Sequence, residues 1–332
     1  MKKVKVLIAS LLIITSMTTL SFSSNAYSIN DRTDSIASSS ARSGSNYKML
    51  FLYLNSGTSL SSELMDYDNV NTYVISPDGG YHVTYDWNMS KQYYDYIDYI
   101  GYVKKYVDYI VSHRQTKNNK IFIATPSSFV NGKQQSPNSS NIKAFFADLR
   151  ANFSDEVWNN NIEGIYVYDE EYTDNGKYHK NVGDIMHSNS DYRNKKLLWC
   201  PYYGVYGEIS HVLRAYPNLF DIILIQPNYY FGGKDVLDKI KGWIETQKVN
   251  GVSSRNTVLG VQLEIDIAYT WRDDRVTAYG TTAKYCKTAY NKYFNTFESI
   301  KRSYPMSHFG DAWKPNLTNR TIINRINEFY AY

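Results

Sequence analysis

The stretch Glu163 to Tyr172 reads EGIYVYDEEY, and it decides the fold of this chain. Apolar residues alternate along its first half, which is typical of a short strand, and three consecutive carboxylates follow. In a parallel α/β barrel the chemistry lies at the carboxyl ends of the strands. The stretch therefore predicts a strand whose end carries a candidate catalytic acid.

Seven further apolar stretches flank this strand, and helical patterns alternate with all eight. The predicted strands are Lys48–Leu54, Tyr73–Ser76, Lys120–Thr125, the opening stretch, Lys196–Tyr203, Asp221–Gln226, Thr257–Asp266 and Ser307–Asp311. The predicted helices are Ser59–Asp66, Tyr93–Arg114, Asn141–Phe153, Lys177–Ser190, Gly207–Tyr216, Asp235–Gln247, Arg275–Ser303 and Asn319–Tyr330. Such alternation predicts an α/β fold, a single (β/α)8 TIM barrel. A doubly wound sheet is the alternative, but no Gly-x-Gly-x-x-Gly follows the first strand.

The amino terminus has the features of an export signal. Lysines at positions 2, 3 and 5 precede an apolar segment at 6–22 and a small-x-small cleavage site that ends at Ala26. We therefore predict a signal peptide at 1–26, a polar flexible leader at 27–46 and a barrel catalytic domain at 47–332. The mature chain is expected to have no membrane span and to be secreted, either extracellular or associated with the cell wall.

Charge and cysteine content narrow the possible partners. Without the three lysines of the signal, 33 basic residues face 32 acidic ones, and no basic or acidic run stands out. We therefore expect no nucleic-acid partner. The protein is also expected to be a monomer. Cys200 and Cys286 are predicted on the fifth strand and the seventh helix, which argues against a disulfide.

Side-chain parity along two strands places a pair of acids inside the barrel. Ile165 and Val167 should face the helices, which turns Tyr166, Tyr168 and Glu170 inward. The same rule on the seventh strand turns Gln262, Glu264 and Asp266 inward. Glu170 and Glu264 therefore become the candidate catalytic residues.

Two carboxyl groups are what glycoside hydrolysis requires, one to protonate the leaving oxygen and one to act as nucleophile or base. Their separation, which the sequence does not supply, decides between retention and inversion. A structural alternative is open for each acid: Glu264 and Asp266 could bond Arg272 or backbone groups, while Asp169 and Glu171 could be solvated loop charges.

Polar and aromatic residues at the predicted strand ends suit a neutral, hydroxyl-rich ligand, because amides bond hydroxyls and aromatic faces stack on sugar rings. The predicted substrate-binding residues are Asp169, Glu171, Tyr53, Tyr202, Tyr203, Gln226, Asn228, Tyr229, Asp266, Trp271 and Trp313. The expected partner is a carbohydrate polymer or oligosaccharide.

Other chemistries have less support. The sequence contains no His-Glu-x-x-His motif and no Cys/His cluster, so we expect no cofactor and no catalytic metal. Binding of a calcium ion near Asp266, Asp273 and Asp274 is left as an alternative. The alternative to a hydrolase is a non-catalytic carbohydrate-binding or surface-interaction protein on a degenerate barrel. A third possibility, a deacetylase-like enzyme, would require a metal set.

The series GIYVYDEE, LLWCPYYG, QPNYY and GVQLEID resembles the bacterial secreted family described as domain of unknown function 4855, from about residue 47 to the end. The resemblance implies a glycosidase-type barrel. It carries over as motif positions Glu170, Trp199, Pro201, Tyr202, Gln226, Pro227, Asn228 and Glu264. The acids are also placed as in the retaining barrel glycosidases, which implies Glu170 as acid/base and Glu264 as nucleophile. Those enzymes usually have Asn before the acid/base, whereas Asp169 stands here, so Asp169 and Glu171 are alternatives.

Overall fold

A computed structural model describes residues 47–54, 66–77, 92–126, 129–130, 133–134, 139–172, 176–309 and 319–331. Within them, eight parallel strands close into a barrel in which each strand pairs with the next and the last pairs with the first. The strands are β1 (Lys48–Leu54), β2 (Thr72–Pro77), β3 (Lys120–Ala124), β4 (Ile162–Val167), β5 (Lys196–Trp199), β6 (Ile222–Ile225), β7 (Val258–Glu264) and β8 (Met306–Phe309). The predicted (β/α)8 barrel is confirmed.

Helices follow the strands in chain order. They are α1 (Gln92–Ser112), α2 (Ser139–Ala151), α3 (Asp155–Asn160), α4 (Lys177–Ser188), α5 (Tyr206–Ala215), α6 (Leu237–Thr246), α7 (Ala283–Phe297) and α8 (Arg320–Tyr330). The helix predicted at Ser59–Asp66 lies outside the described residues except for Asp66. Two short antiparallel pairs, 129–130 with 133–134 and 248–249 with 252–253, and three 3-10 helices at Tyr203–Val205, Ile267–Thr270 and Glu298–Ile300 accompany these elements in the described residues.

Two helices differ from the expectation. The short α3, which begins after the N-cap Ser154, was not predicted. Helix α7 begins at Ala283 instead of Arg275, because Thr282 caps it by accepting a hydrogen bond from the N–H of Tyr285. Residues 276–282 form a turn closed by the pairing of Val276 with Thr282, with Gly280 at φ +81°. In the sequence, Gly280 and Thr282 are the residues that could have indicated the true start of the helix.

The barrel has two apolar layers, and they confirm the predicted parity of β4. Ile165 and Val167 pack in the outer layer, between strands and helices. Tyr166 packs inside the barrel with residues such as Phe51 and Leu198, and Tyr168 lies against the same interior cluster. Parallel strands covered on both faces read as apolar runs, which is why these strands were recognisable.

A polar cluster lies at the amino-terminal end of the barrel. The β3–β4 register passes from Ile162 to Gly164, so Glu163 occupies a bulge. Its carboxylate accepts hydrogen bonds from Lys196 at 2.7 Å and from the hydroxyl of Tyr47. The ammonium of Lys196 also lies 4.9 Å from the Tyr47 ring centroid, so Lys196 and Tyr47 together compensate the half-buried carboxylate.

Helix α8 is fastened over the seam between β8 and β1. The Lys48 ammonium donates to the carbonyl of Tyr330 at 3.2 Å, and that of Lys301 donates to the carbonyl of Phe329 at 2.5 Å. Both cations therefore satisfy carbonyls at the carboxyl end of a helix, where positive charge is favourable.

No helix among the described residues has both the length and the apolar character needed to cross a bilayer. Cys200 and Cys286 are both buried and free. The expectation that they do not form a disulfide is confirmed.

Candidate active site

The turn after β4 is held in place by side chains that bond its backbone. The carbonyl of Asp169 accepts hydrogen bonds from Trp199 Nε1 at 2.9 Å and from His179 Nε2 at 3.0 Å. Because a carbonyl only accepts, Nε2 carries the imidazole proton. Burial lowers the pKa of His179 to about 4, so the ring is neutral at physiological pH. Strand β5 and helix α4 thus fix the start of the acidic turn.

The same turn is fixed again three residues later. The N–H of Tyr172 donates to Glu208 Oε2 at 2.7 Å, and Glu208 lies in the first turn of α5. Glu170 and Glu171, between the two anchors, are both exposed. The turn therefore presents two carboxylates at the mouth of the barrel on a backbone tied down at both ends.

Glu170 is the acid of this turn with a clearly perturbed affinity for protons. Desolvation by the surrounding protein atoms, followed by repulsion from Glu171 and Asp169, raises the pKa of its carboxyl to about 7. Water partly screens this exposed side chain, but repulsion from the two neighbouring acids raises its pKa even where desolvation is incomplete.

Glu264 ends β7, and its side chain is fully buried. Its Oε1 accepts a hydrogen bond from the N–H of Asn228 at 2.6 Å, and its Oε2 accepts one from the hydroxyl of Tyr293. Burial raises the pKa of Glu264 to about 8 although the backbone N–H groups of Asn228, Glu264 and Tyr230 oppose the shift, and repulsion from Glu170 adds to it. The two acids therefore interact electrostatically.

The pKa values of Cys200 and Tyr202 are raised in part by nearby carboxylates. Burial raises the pKa of the Cys200 thiol, and both Glu170 and Glu264 contribute. Burial also raises the pKa of Tyr202, with contributions from Glu171, Glu208 and Glu170. The end of β5 thus lies between the acid on β4 and the acid on β7.

Tyr202 and Gln226 join the ends of β5 and β6. They pair as an isolated parallel bridge, and the N–H of Gln226 donates to the carbonyl of Pro201 at 2.9 Å. The ring of Tyr202 lies back over Gly204, where a Cβ would come within 1.9 Å of a ring carbon. Gln226 Oε1 is buried with no hydrogen-bond partner in the part of the chain described. An acceptor of this kind is normally satisfied by water or a ligand.

The backbone of Asn228, rather than its side chain, holds Glu264. Asn228 has φ 58°, a left-handed conformation that few non-glycine residues adopt, and its side chain is exposed. Its carbonyl accepts from the N–H of Gly233 at 2.9 Å, which closes the loop after β6. The strained residue thus aims its N–H at the buried acid.

We predict that Asn228→Val costs about 1–2 kcal/mol of unfolding free energy through left-handed strain, whereas Asn228→Gly costs less than about 1 kcal/mol. Asn250→Val is the matched control, since Asn250 has φ 49° in the hairpin at 248–253. Weakening the N–H bond to Glu264 penalises its ionised form. Urea titrations should therefore show an extra loss for Asn228→Val at pH 8 that is absent at pH 4. Equal losses for both valine variants at pH 8 would contradict this assignment.

Three of the other predicted residues contact side chains of the loops and helices around the barrel. Tyr229 packs on Tyr285 and Tyr293 with ring centroids 5.8 and 6.1 Å apart. The Trp271 ring lies 3.7 Å from the guanidinium of Arg275. Asp266 Oδ1 is buried and accepts from the hydroxyl of Tyr230 at 2.9 Å and from an N–H of the following 3-10 helix.

The remaining predicted residues divide in two groups. Tyr203 is half-buried beside Tyr202 and stacks on Trp243 with centroids 5.6 Å apart. The side chain of Tyr53 and the whole of Trp313 lie outside the described residues.

Sequence reasoning missed Tyr293, Tyr230 and Glu208. The Tyr293 hydroxyl bridges Glu264 and the N–H of Tyr230, from a helix that begins nineteen residues after β7. Nothing local to Tyr293 distinguishes it in a chain with 33 tyrosines. Glu208 had a signal, because an acid in the first turn of a helix is well placed to bond backbone N–H groups.

Among the described residues, no group of three or more His, Cys, Asp and Glu side chains is arranged to hold a metal ion. Asp266, Asp273 and Asp274, near which calcium was considered, have other partners in this part of the chain. Asp273 pairs with Lys287 at 2.7 Å and Asp274 with Arg272 at 2.6 Å.

The profile of a family described as Domain of unknown function (DUF4855) matches residues 92–304, from the start of α1 to the turn before β8. This chain belongs to the DUF4855 family. The match is shorter than the expected span from about residue 47 to the end, but it confirms the family. No curated protein matches this DUF4855 chain in sequence.

Solved structures share the barrel of this DUF4855 protein. A family 18 chitinase from Crocus vernus is 11% identical, with 85% of this chain and 98% of that chain covered and a TM-score of 0.48. The catalytic domain of a family GH18 chitinase from the fern Peteris ryukyuensis is 10% identical, with 85% and 99% covered and a TM-score of 0.49. β-Methylaspartase from Clostridium tetanomorphum is 9% identical, with 85% and 58% covered and a TM-score of 0.50. At such identities the likeness concerns the fold alone.

Proposed function

We propose that this DUF4855 protein is a secreted glycoside hydrolase that acts on an extracellular or cell-wall polysaccharide through Glu170 and Glu264. The observation that carries the proposal is the position of two acids at one end of the barrel, Glu170 just beyond β4 and Glu264 at the end of β7; the raised pKa of each supports it. Secretion is proposed from the sequence of residues 1–26.

The two acids differ in exposure, and the reaction needs the single proton of the pair on Glu170, although Glu264 has the higher pKa. Glu170 is exposed at the mouth, and a pKa near 7 keeps it able to donate a proton at neutral pH. Glu264 is fully buried, and the N–H of Asn228 and the hydroxyl of Tyr293 hold its two oxygens. Those donors orient a carboxylate that acts on the sugar carbon directly or through water.

Whichever stereochemical course is followed, the proton of Glu170 passes to the oxygen of the leaving sugar as the C–O bond breaks. The anomeric carbon finally takes the oxygen of a water molecule, and a proton of that water restores the carboxyl group. Two polar groups at this end of the barrel can bond sugar hydroxyls: the buried Gln226 Oε1, which has no partner among the described residues, and the exposed amide of Asn228.

The test is the release of reducing ends from a panel of polysaccharides, with kcat/KM measured against pH on the best substrate. With pKa values of about 7 and about 8, the pair holds a single proton chiefly between those two pH values. We expect a bell-shaped profile with its maximum between about pH 7 and 8. Circular dichroism over the same range checks that the fold persists. A maximum near pH 4 to 5 would mean that neither acid is perturbed.

A second candidate function is a non-catalytic carbohydrate-binding protein, and the burial of Glu264 favours it. A carboxylate with no exposed surface and a donor on each oxygen could serve only to join β7, the loop after β6 and α7. Glycan binding in the same panel, with no bond cleaved in any member, would establish this alternative.

A further inference from the structure

An aromatic cluster with one lysine lies beside the mouth, between α5 and α6. Tyr203 stacks on Trp243 with centroids 5.6 Å apart and planes at 20°, and Tyr206 lies 5.6 Å from Tyr203. The ammonium of Lys239 is 5.6, 5.2 and 5.0 Å from the centroids of Tyr203, Tyr206 and Trp243. Three ring faces therefore surround one cation.

The position of this cluster makes it continuous with the candidate active site. Tyr203 directly follows Tyr202, whose raised pKa records the nearby Glu170 and Glu171. Tyr206 begins α5, and Lys239 lies in the first turn of α6, so both are at the carboxyl end of the barrel strands. A polymer bound at Glu170 can reach these rings without leaving the same end of the barrel.

Lys239 has a charge that the described residues leave uncompensated. Its ammonium donates to the hydroxyl of Tyr203 at 3.2 Å, and no carboxylate of the described residues lies within 4 Å of it. Lys241, two residues along α6, has an acidic partner, Glu245, at 3.9 Å. Tyr206, with 42% of its surface exposed, adds an accessible ring beside that free cation.

We propose that Tyr203, Tyr206, Trp243 and Lys239 form an outer subsite for an anionic sugar unit, carboxylated or phosphorylated, of the polysaccharide. The exposed ring of Tyr206 contacts the apolar face of the sugar, the half-buried Tyr203 and the buried Trp243 support it from behind, and Lys239 pairs with the anion. The acidic turn at Glu170 and Glu171 repels an anion, so a bound chain places its charged unit on Lys239 and a neutral unit at Glu170. This deepens the proposed function by naming the substrate class, and it rests on that function.

Calorimetric titration with three probes tests the subsite: oligogalacturonate, its methyl ester, and an oligosaccharide that ends in mannose 6-phosphate. The Glu170→Gln background prevents turnover during the titration. Lys239→Met should weaken binding of at least one acidic probe by roughly two- to five-fold and leave the neutral ester unchanged. Lys241→Met, a matched loss of one charge from the same helix, should change neither. The acidic probe that responds identifies the anion.

The aromatic part has its own control. Tyr206→Ala should weaken binding of the same probe by about two- to ten-fold. Tyr206→Phe should bind it as the wild type does, because the ring face is what stacks. Equal affinities for acidic and esterified probes, or equal effects of Lys239→Met and Lys241→Met, overturn the subsite whether or not the wild type hydrolyses glycans. Conversely, Lys239-dependent acid binding in a protein that cleaves nothing refutes only the hydrolase.

Discussion

Replacing Glu170 with glutamine is expected to lower kcat by about 10²- to 10⁴-fold, the usual contribution of a positioned acid, while glycan binding persists. Glutamine keeps the shape of the side chain, but its amide is far too weak an acid to protonate the leaving oxygen. Single-turnover kinetics on the best polysaccharide of the panel, together with a binding isotherm for the same glycan, separate the two effects. A parallel loss of binding would mean that Glu170 recognises the glycan rather than protonating it.

Glu171→Gln is the matched control, because Glu171 is the next residue, is exposed like Glu170 and loses the same charge. It should keep kcat within a few-fold of the wild type. If Glu171→Gln abolishes turnover and Glu170→Gln does not, Glu171 is the acid, an alternative that the unusual Asp169 before Glu170 had left open. Full activity in both variants would contradict acid catalysis from this turn.

The barrel could be predicted because its strands are covered on both faces. Lys48–Leu54 and Ile222–Ile225 are apolar runs without alternation, as expected for parallel strands between a core and a layer of helices. Parity then placed Tyr166 inside the barrel from the hydrocarbons that flank it. These inferences need only local pattern, which the chain supplies along its whole length.

The contacts that set the chemistry were beyond prediction because they join distant residues. Glu264 is held by Asn228, thirty-six residues earlier, and by Tyr293, twenty-nine residues later. Trp271 and Tyr229 stay predicted ligand contacts, but the sequence did not show that their rings also contact Arg275 and Tyr285. Parity gives the face of a strand, but it gives no rotamer in the loop beyond the strand end.

Replacing Glu264 with glutamine is expected to stabilise the protein at pH 8 and to leave its stability at pH 4 unchanged. The folded pKa of about 8 lies above the unfolded value of about 4.5, so below pH 4.5 both states are protonated and folding carries no penalty. As pH rises to about 8, the unfolded chain releases the proton and the folded chain retains it, so wild-type stability falls. The neutral amide escapes this loss, which is on the order of a few kcal/mol. Urea titrations at pH 4, 6 and 8 measure it.

Glu163→Gln is the control with the opposite expected sign, at the other end of the same barrel. Hydrogen bonds from Lys196 and Tyr47 outweigh burial and lower the pKa of Glu163, so its ionised form stabilises the fold above the unfolded pKa. That variant should therefore lose stability at pH 8. If Glu264→Gln also loses stability there, Glu264 is a structural acid like Glu163, and the second carboxylate of the proposed mechanism is removed. A gain in stability together with lost turnover would instead mark a charge that the fold tolerates at a cost because the reaction uses it.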